Sequence, residues 1–253
     1  MVTYSQTDLI IRENRYVPFY GAVLDELNKD FYSSNQRSLK AKLIDGSALA
    51  QSERWNLSSR RKVDWDWVKG YSAFKYRHPK RFEMALWHNN TLASLSLGRP
   101  TYQGTKLRLD FIEGNPDKPG GAKVFKPTFL AMVGYAQVLG ASELRIMNPI
   151  NGDVRSYYER FGFAYIIKGD YLHVRLEDNV MSDEKIKHLS DEQRKKSGGS
   201  IKDAIRRAKQ HIRNVGADEI EEPEGFASGD LKKFLENPDE HEKEDDDERK
   251  DNK

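Results

Sequence analysis

Two stretches of this 253-residue chain combine residue types that could bind an anion and move a proton. The run Asn151-Gly-Asp-Val-Arg-Ser-Tyr-Tyr-Glu-Arg-Phe-Gly-Phe163 follows a short apolar segment, and its asparagine can begin a helix. Its tyrosine phenols, with an ordinary pKa of about 10, can take part in proton transfer. The loop Gly114-Asn-Pro-Asp-Lys-Pro-Gly-Gly-Ala122 precedes a predicted helix, whose free N–H groups and dipole favour an anion. The plainer alternatives are two core tyrosines with Gly162 as a helix cap, and a loop that is only a tight connection.

The run from Asn151 resembles the signature N-x-x-A-x-x-[FY]-Y-E-[KR]-x-G-F of the GNAT superfamily of acyl-CoA-dependent N-acyltransferases, with Val154 at the usual alanine. The resemblance implies that Asn151 lies beside the pantetheine arm of coenzyme A. It also implies that Tyr158 protonates the departing thiolate while Tyr157 packs inward. Asn151 could equally serve only to cap its helix, and the two roles are compatible.

The glycine-rich loop is similar to the pyrophosphate-binding segment V-x-P-E-x-[RQ]-x-x-G-x-[GA] of the same family, in a degenerate form. It departs from the pattern at Pro119, Ala122 and Val124, where a proline removes a donor and a valine narrows the approach. Two lysines could restore positive charge. The resemblance implies that the pyrophosphate would be held by Lys118, Gly120, Gly121, Ala122 and Lys123.

A transfer to an amine also needs a group that takes the amine's proton, and the resemblance points to a carboxylate on the strand before this loop. Glu113 and Asp110 are the candidates. Strict alternation would put them on opposite faces only if no bulge intervenes, so the pattern does not choose between them. An acid at a strand end is often simply solvated. His88 is another candidate base, although it falls in a predicted hairpin turn.

The elements that must position these residues follow a recognisable order from residue 82 onward. Alternating apolar residues predict a hairpin of 82–87 and 92–97, and then a strand over 106–113. On that third strand Leu107, Leu109 and Phe111 should share one face, and Arg108, Asp110 and Ile112 the other. A helix opened by Pro127 and ending near Gly140 should follow, then a strand over 143–147, the helix of the tyrosine run, and strands over 163–167 and 171–176.

The N-terminal part supplies the remaining elements of the predicted domain. Residues 8–12 fit a short strand, Tyr20 to Phe31 mark a helical face, residues 38–52 continue as a weaker helix, and 64–76 form another helix ended by Pro79. Together these predict an α/β (α+β) fold, GNAT-like, with a mixed and mostly antiparallel sheet flanked by helices. The predicted domain spans 1–178, and its best-matched part is 82–176.

The charge of the chain is divided between its two ends. Residues 1–180 carry 26 basic and 19 acidic side chains, whereas 181–253 carry 16 and 21. The segment 179–253 has few apolar residues, which predicts a charged and largely disordered tail. Within it, isoleucines and alanines at helical spacing predict a helix over 201–214, either solvated or docked on a partner.

Several classes of protein are excluded or disfavoured by the composition. With no cysteine, thiolate nucleophiles, thiolate metal sites and disulfides cannot occur. The six histidines have no ligand-like spacing, so no metal site is predicted. No apolar run is long enough to span a membrane and no secretion signal is present, which predicts a soluble cytoplasmic protein.

Three functional hypotheses follow. The first is an N-acetyltransferase that moves an acetyl group from acetyl-CoA to an amine by direct attack. The second is a non-catalytic GNAT-fold structural or interaction protein whose tail binds a protein partner, for example a bacteriophage virion or DNA-ejection component. The third is nucleic-acid binding through the basic stretches 54–62 and 185–213. The acceptor amine and the oligomeric state cannot be read from the sequence.

Overall fold

The computed structural model describes residues 6–176 and 200–237, and the side chains of 6–15 are outside this description. The helices are α1 Gln6–Ser33, α2 Gly46–Glu53, α3 Trp67–Arg77, α4 Phe125–Leu139, α5 Gly152–Glu159, α6 Ile201–Asn214 and α7 Leu231–Glu236. The strands are β1 Leu39–Lys42, β2 Phe82–His88, β3 Thr91–Pro100, β4 Lys106–Gly114, β5 Glu143–Met147, β6 Ala164–Ile166, β7 Tyr171–Arg175 and β8 Ala227–Ser228. This is the mixed α and β architecture that the sequence predicts, and the predicted order of strands and helices from β2 to β7 is confirmed.

The strands form one sheet in the order β1-β2-β3-β4-β5-β7-β6, with β8 paired to β4 beside this path. The pairing is antiparallel throughout except between β4 and β5, which are parallel and joined by α4. These two strands pair only over Lys106–Leu109 and Glu143–Ile146. Their carboxyl ends therefore diverge and leave an opening in the middle of the sheet.

A β-bulge at Asp110 shapes the end of β4 that borders this opening. Leu97 of β3 lies opposite Phe111, and the next residue, Gly98, lies opposite Leu109, so Asp110 is the extra residue of the bulge. After the bulge the side chains change faces. Leu107, Leu109 and Ile112 lie in one core and Phe111 in the other. The predicted grouping of Phe111 with the leucines is therefore wrong, because the extra residue breaks strict alternation.

Two apolar layers cover the sheet. The larger core combines α1, α4, α5 and α6 with one face, and the smaller one combines α2, α3 and α7 with the other. Trp67 and Phe74 of α3 are buried in the smaller layer. Helix α4 has both of its predicted ends, since Pro127 lies in its first turn and Gly140 closes it with φ 75°.

The N-terminal elements differ from the prediction in two places. Residues 8–12 belong to α1 and not to a strand, because a short apolar run fits either conformation and the continuation to Ser33 is helical. Residues 38–52 divide into β1, which pairs with β2, and α2, which begins at the cap Asp45. The neighbouring strand decides the conformation of Leu39–Lys42, and that contact is not local in sequence.

The C-terminal region also differs from the prediction of a largely disordered tail. Helix α6 occurs where its apolar spacing predicts it, and Ala204, Ile205, Ala208 and Ile212 are buried against the larger core. Residues 217–230, called the strap below, continue from α6 to α7 across the opening of the sheet. The remaining tail residues, 177–199 and 238–253, lie outside the described residues.

Candidate functional site

The amino-terminal end of α4 is the point where the predicted anion site can be examined. Helix α4 has no side-chain cap of its own at Val124. Instead, the backbone N–H groups of Val124 and Phe125 both donate to one carboxylate oxygen of Glu222, at 3.0 Å each. Free N–H groups and the helix dipole favour a negative charge at this position. The anion at the helix start is thus a side chain of the strap.

The glycine-rich loop before α4 is also engaged by the strap. Lys118 has a left-handed backbone, with φ 41°, and its Nζ donates to the main-chain oxygen of Glu222 at 2.6 Å. Lys123 lies 3.6 Å from the carboxylate of Glu221. Both lysines predicted to hold a pyrophosphate therefore contact the chain itself.

The small residues of that loop have separate surroundings. Gly120 lies under the imidazole of His88, since a Cβ at this position would come within 2.2 Å of the ring. Gly121 is exposed, has φ 66° and would meet nothing within 4 Å. Ala122 packs partly against the larger core. The loop glycines thus allow a tight turn and the close approach of His88.

The strap joins the two diverging strands by main-chain hydrogen bonds. The N–H of Gly114, at the end of β4, donates to the oxygen of Phe226 at 2.8 Å, and β8 continues this antiparallel pairing opposite Ile112 and Glu113. On the other side the N–H of Gly229 donates to the oxygen of Asn148 at 2.9 Å, just after β5. The opening between β4 and β5 is consequently filled by an extended segment.

Phe226 anchors the strap among aromatic rings. It is 1% exposed, and its ring centroid lies 5.5 Å from those of Tyr157 and Tyr158 and 6.1 Å from that of Phe125. The following residue, Ala227, belongs to the core on the opposite face of the sheet. The strap therefore passes from one apolar layer to the other through the opening.

Tyr158, the predicted proton donor, is completely buried at this place. Its hydroxyl lies 2.8 Å from Oγ of Ser228, and Phe125 packs edge-on against its ring at 4.6 Å. Burial raises the pKa of the Tyr158 phenol well above 10, although the hydrogen bond with Ser228 acts in the opposite direction. Burial likewise raises the pKa of Tyr157. The Tyr158 phenol is therefore neutral and covered by the strap.

Asn151 begins α5, as its position in the sequence predicts. Its side-chain oxygen accepts a hydrogen bond from the N–H of Val154 at 2.9 Å, and the residue is exposed. This is an N-cap, which satisfies one of the free donors of the first helical turn. The capping role accounts for the asparagine in the absence of any ligand.

The two candidate bases are held in buried ion pairs on the α3 side of the sheet. Nε and Nη2 of Arg61 donate to the two carboxylate oxygens of Glu113 at 2.6 and 2.9 Å, and Nε1 of Trp67 adds a third bond at 2.6 Å. Burial raises the pKa of Glu113, while Arg61 opposes that change. Asp110 lies 2.9 Å from Nη2 of Arg108. The bulge in β4 turns both carboxylates toward the same layer, where each faces an arginine.

Glu222 is the ionisable group that sequence reasoning missed. Burial raises its pKa from 4.5 to about 7, against the opposing effects of the Phe125 and Val124 amides and the charge of Lys118. Its contacts lie about a hundred residues away in sequence. A usable signal existed, because Phe226 and Phe234 are isolated aromatic residues in a highly charged segment, and both are buried.

Among residues 6–176 and 200–237, no group of three or more His, Asp or Glu side chains is arranged to hold a metal ion. None of the helices in these ranges has the length and apolar content to cross a membrane.

Comparison with known proteins gives a likeness of fold. No protein-family model matches the sequence, and neither does any curated protein. Solved structures of acetyltransferases are similar over somewhat more than half of the chain. Ard1 from Thermoplasma volcanium is 10% identical, covers 56% of this chain and 99% of its own, and has a TM-score of 0.44.

Two further structures are similar to the same extent. The ribosomal-protein-S18-alanine N-acetyltransferase from Escherichia coli is 13% identical and covers 60% of this chain and 99% of its own, with a TM-score of 0.40. RimJ from Mycobacterium smegmatis, in complex with CoA-disulfide, is 11% identical and covers 62% and 87%, with a TM-score of 0.42.

Proposed function

We propose that this protein is a non-catalytic structural or interaction protein built on an acyltransferase fold, with its own strap in the position that an acyl-CoA would need. The observation that carries the proposal is the carboxylate of Glu222 on the N–H groups of Val124 and Phe125. A carboxylate and a pyrophosphate compete for the same donors, so both cannot be bound at once.

The path of the strap supports the same conclusion. A cofactor arm reaching from α4 toward Tyr158 would have to pass between the ends of β4 and β5. That space contains Phe226 and β8, which bond to Gly114 and pair with Ile112 and Glu113. Displacing them would expose a buried phenylalanine and break main-chain hydrogen bonds, which opposes cofactor entry.

The groups needed for proton transfer are also occupied. Both carboxylate oxygens of Glu113 accept hydrogen bonds from Arg61, and Trp67 donates to one of them, so the carboxylate is not free to approach an amine. The Tyr158 hydroxyl is buried against Ser228. A general acid or base must reach the reacting atoms within hydrogen-bond distance, and neither group is open to a substrate in this arrangement.

An N-acetyltransferase that uses acetyl-CoA is the second candidate, on the condition that the strap leaves. One observation favours it: the strap is held over Tyr158 and the α4 amides by non-covalent contacts alone. Its departure would leave the Tyr158 phenol and the free N–H groups of Val124 and Phe125 facing the opening between β4 and β5. In this candidate Asn151, Lys118, Gly120, Gly121, Ala122 and Lys123 would line the cofactor, Tyr158 would be the acid, and Glu113 or Asp110 the base.

Titration calorimetry with acetyl-CoA tests the proposal directly. We expect no binding to the full-length chain at concentrations up to about 1 mM, because Glu222 and Phe226 occupy the groove. Glu222→Ala is the companion variant, since it frees the two α4 amides. Micromolar binding by the unmodified chain would overturn the proposal. Binding by the variant alone would support the acetyltransferase held inactive by its strap.

A further inference from the structure

The opening between the ends of β4 and β5, called the groove below, binds the strap as other proteins bind an extended peptide. Main-chain bonds join it to both borders, at Gly114 on one side and Asn148 on the other, and Pro149 forms an isolated bridge with Ser228. Addition of a strand to a sheet supplies affinity of this kind with little dependence on sequence.

Side chains of the strap add the selectivity. The carboxylate of Glu222 accepts hydrogen bonds from the α4 amides. Four residues later, Phe226 packs into the cluster of aromatic side chains formed by Phe125, Tyr157 and Tyr158. The groove thus binds a carboxylate and an aromatic side chain that are four residues apart along an extended chain.

Ser228 and Gly229, which follow Ala227, also restrict which sequences fit the groove. Ser228 meets the buried phenol of Tyr158 at 2.8 Å. Gly229 follows with φ 113°, and a Cβ there would lie 2.2 Å from the main-chain oxygen of Asp110. Only glycine fits that contact without displacement of the β4 backbone.

Basic residues on the body complement the acidic character of this segment. Lys126 pairs with Asp218, Lys123 lies near Glu221, and Lys118 bonds to the main chain of Glu222. The ligand that the groove fits is therefore an acidic extended segment with an aromatic anchor and a small, glycine-containing end.

We propose that this groove is a peptide-binding site, and that the strap is a resident ligand which a segment of the same pattern on another protein can replace. The inference rests on the proposed function, in which the groove holds a peptide and not acyl-CoA. The strap competes from within the chain at a high effective concentration, so an external peptide binds only when the resident contacts are weakened.

The test uses the full chain with both anchors of the strap removed, Glu222→Ala together with Phe226→Ala. A fluorescent synthetic peptide covering residues 217–230 is titrated against this variant and against the unmodified chain, with anisotropy as the readout. The control peptide carries the same two alanine replacements. We expect saturable binding to the variant, with the control peptide and the unmodified chain each weaker by at least about tenfold.

Two results would overturn the inference. One is the absence of binding to a variant whose circular dichroism shows a folded protein, and the other is equal binding of the two peptides. If the double variant does not fold, Glu222→Ala alone in the full chain takes its place with the same two peptides and the same deciding results. Calorimetry with acetyl-CoA on the unmodified chain is run in parallel, so that failure of the proposed function is seen separately from failure of the peptide site.

Discussion

The phenol of Tyr158 and the hydroxyl of Ser228 lie 2.8 Å apart and are both fully buried, although 70 residues separate them in sequence. One hydrogen bond thus connects the helix of the tyrosine run to the strap. It places the residue that resembles a catalytic acid in a structural contact. Each hydroxyl can be removed by a substitution that adds no volume, so the contribution of this hydrogen bond to stability can be measured.

Removal of either hydroxyl should destabilise the protein, and removal of both should cost little more than one. Tyr158→Phe and Ser228→Ala each leave a buried partner unsatisfied, at a cost of about 1–3 kcal/mol in the free energy of unfolding. The double variant loses both polar groups together, so the coupling energy should equal the cost of about one single change, about 1–3 kcal/mol. Urea denaturation of the four proteins measures it. Additive losses would mean that the two hydroxyls do not interact.

The stability of the strap should depend on pH through Glu222. Its pKa is raised from 4.5 to about 7, so the folded protein binds this proton more tightly than the unfolded chain does. The contribution is fully present below about pH 4.5 and is lost as the pH rises through 7. Between these limits the difference in unfolding free energy between the unmodified protein and Glu222→Gln should fall by up to about 3 kcal/mol.

Denaturation at several pH values on both proteins checks this sign. His78 is present in both, so its titration, with a pKa lowered to about 3 by burial, cancels in the difference. A difference that stays constant from pH 4.5 to 7.5 would show that Glu222 is not buried as described.

The buried pair of Arg61 and Glu113 should matter far more than the neighbouring exposed pair. Arg61→Ala leaves a carboxylate buried without its cation and should cost about 3–5 kcal/mol. Arg60→Ala is the matched control, because Arg60 pairs with Asp117 at 2.7 Å but both side chains are more than half exposed. That change should cost about 0–1 kcal/mol. Thermal or urea unfolding compares them, and similar losses would contradict the burial of Glu113.

Two glycines with positive φ separate backbone strain from lack of space. Gly216→Ala adds a Cβ that meets nothing within 4 Å, so only the left-handed backbone opposes it, by about 1–2 kcal/mol. Gly229→Ala drives the Cβ to 2.2 Å from the oxygen of Asp110. Its cost should exceed that of Gly216→Ala by at least about 2 kcal/mol in urea unfolding. Equal costs would indicate that the strap can shift away from β4.

Local patterns in the sequence predict most of the sheet. The hairpin of β2 and β3, the strand β5 and the cap at Asn151 depend on neighbouring residues, and each has a clear signal. The bulge at Asp110 has none, because it depends on how β3 and β4 register. Residues 8–12 fit a strand or a helix equally until the remainder of α1 is known.

The occupant of the candidate site could not be predicted for a different reason. The loop before α4 reads as a degenerate phosphate site, since nothing near it in sequence supplies an anion. Glu222 does so from 98 residues away. The composition of the segment is typical of a disordered tail, but among its described residues Phe226 and Phe234 are buried in the two cores of the body.

The distance in sequence between the groove and its occupant sets an order of events during synthesis. Residues 112–125 leave the ribosome about a hundred residues before Glu222 and Phe226. The nascent sheet can therefore form with its central opening empty and with the aromatic side chains that line it exposed. The opening is filled only when the strap has been synthesised. In that interval the peptide site that we propose would be open to a segment of another protein.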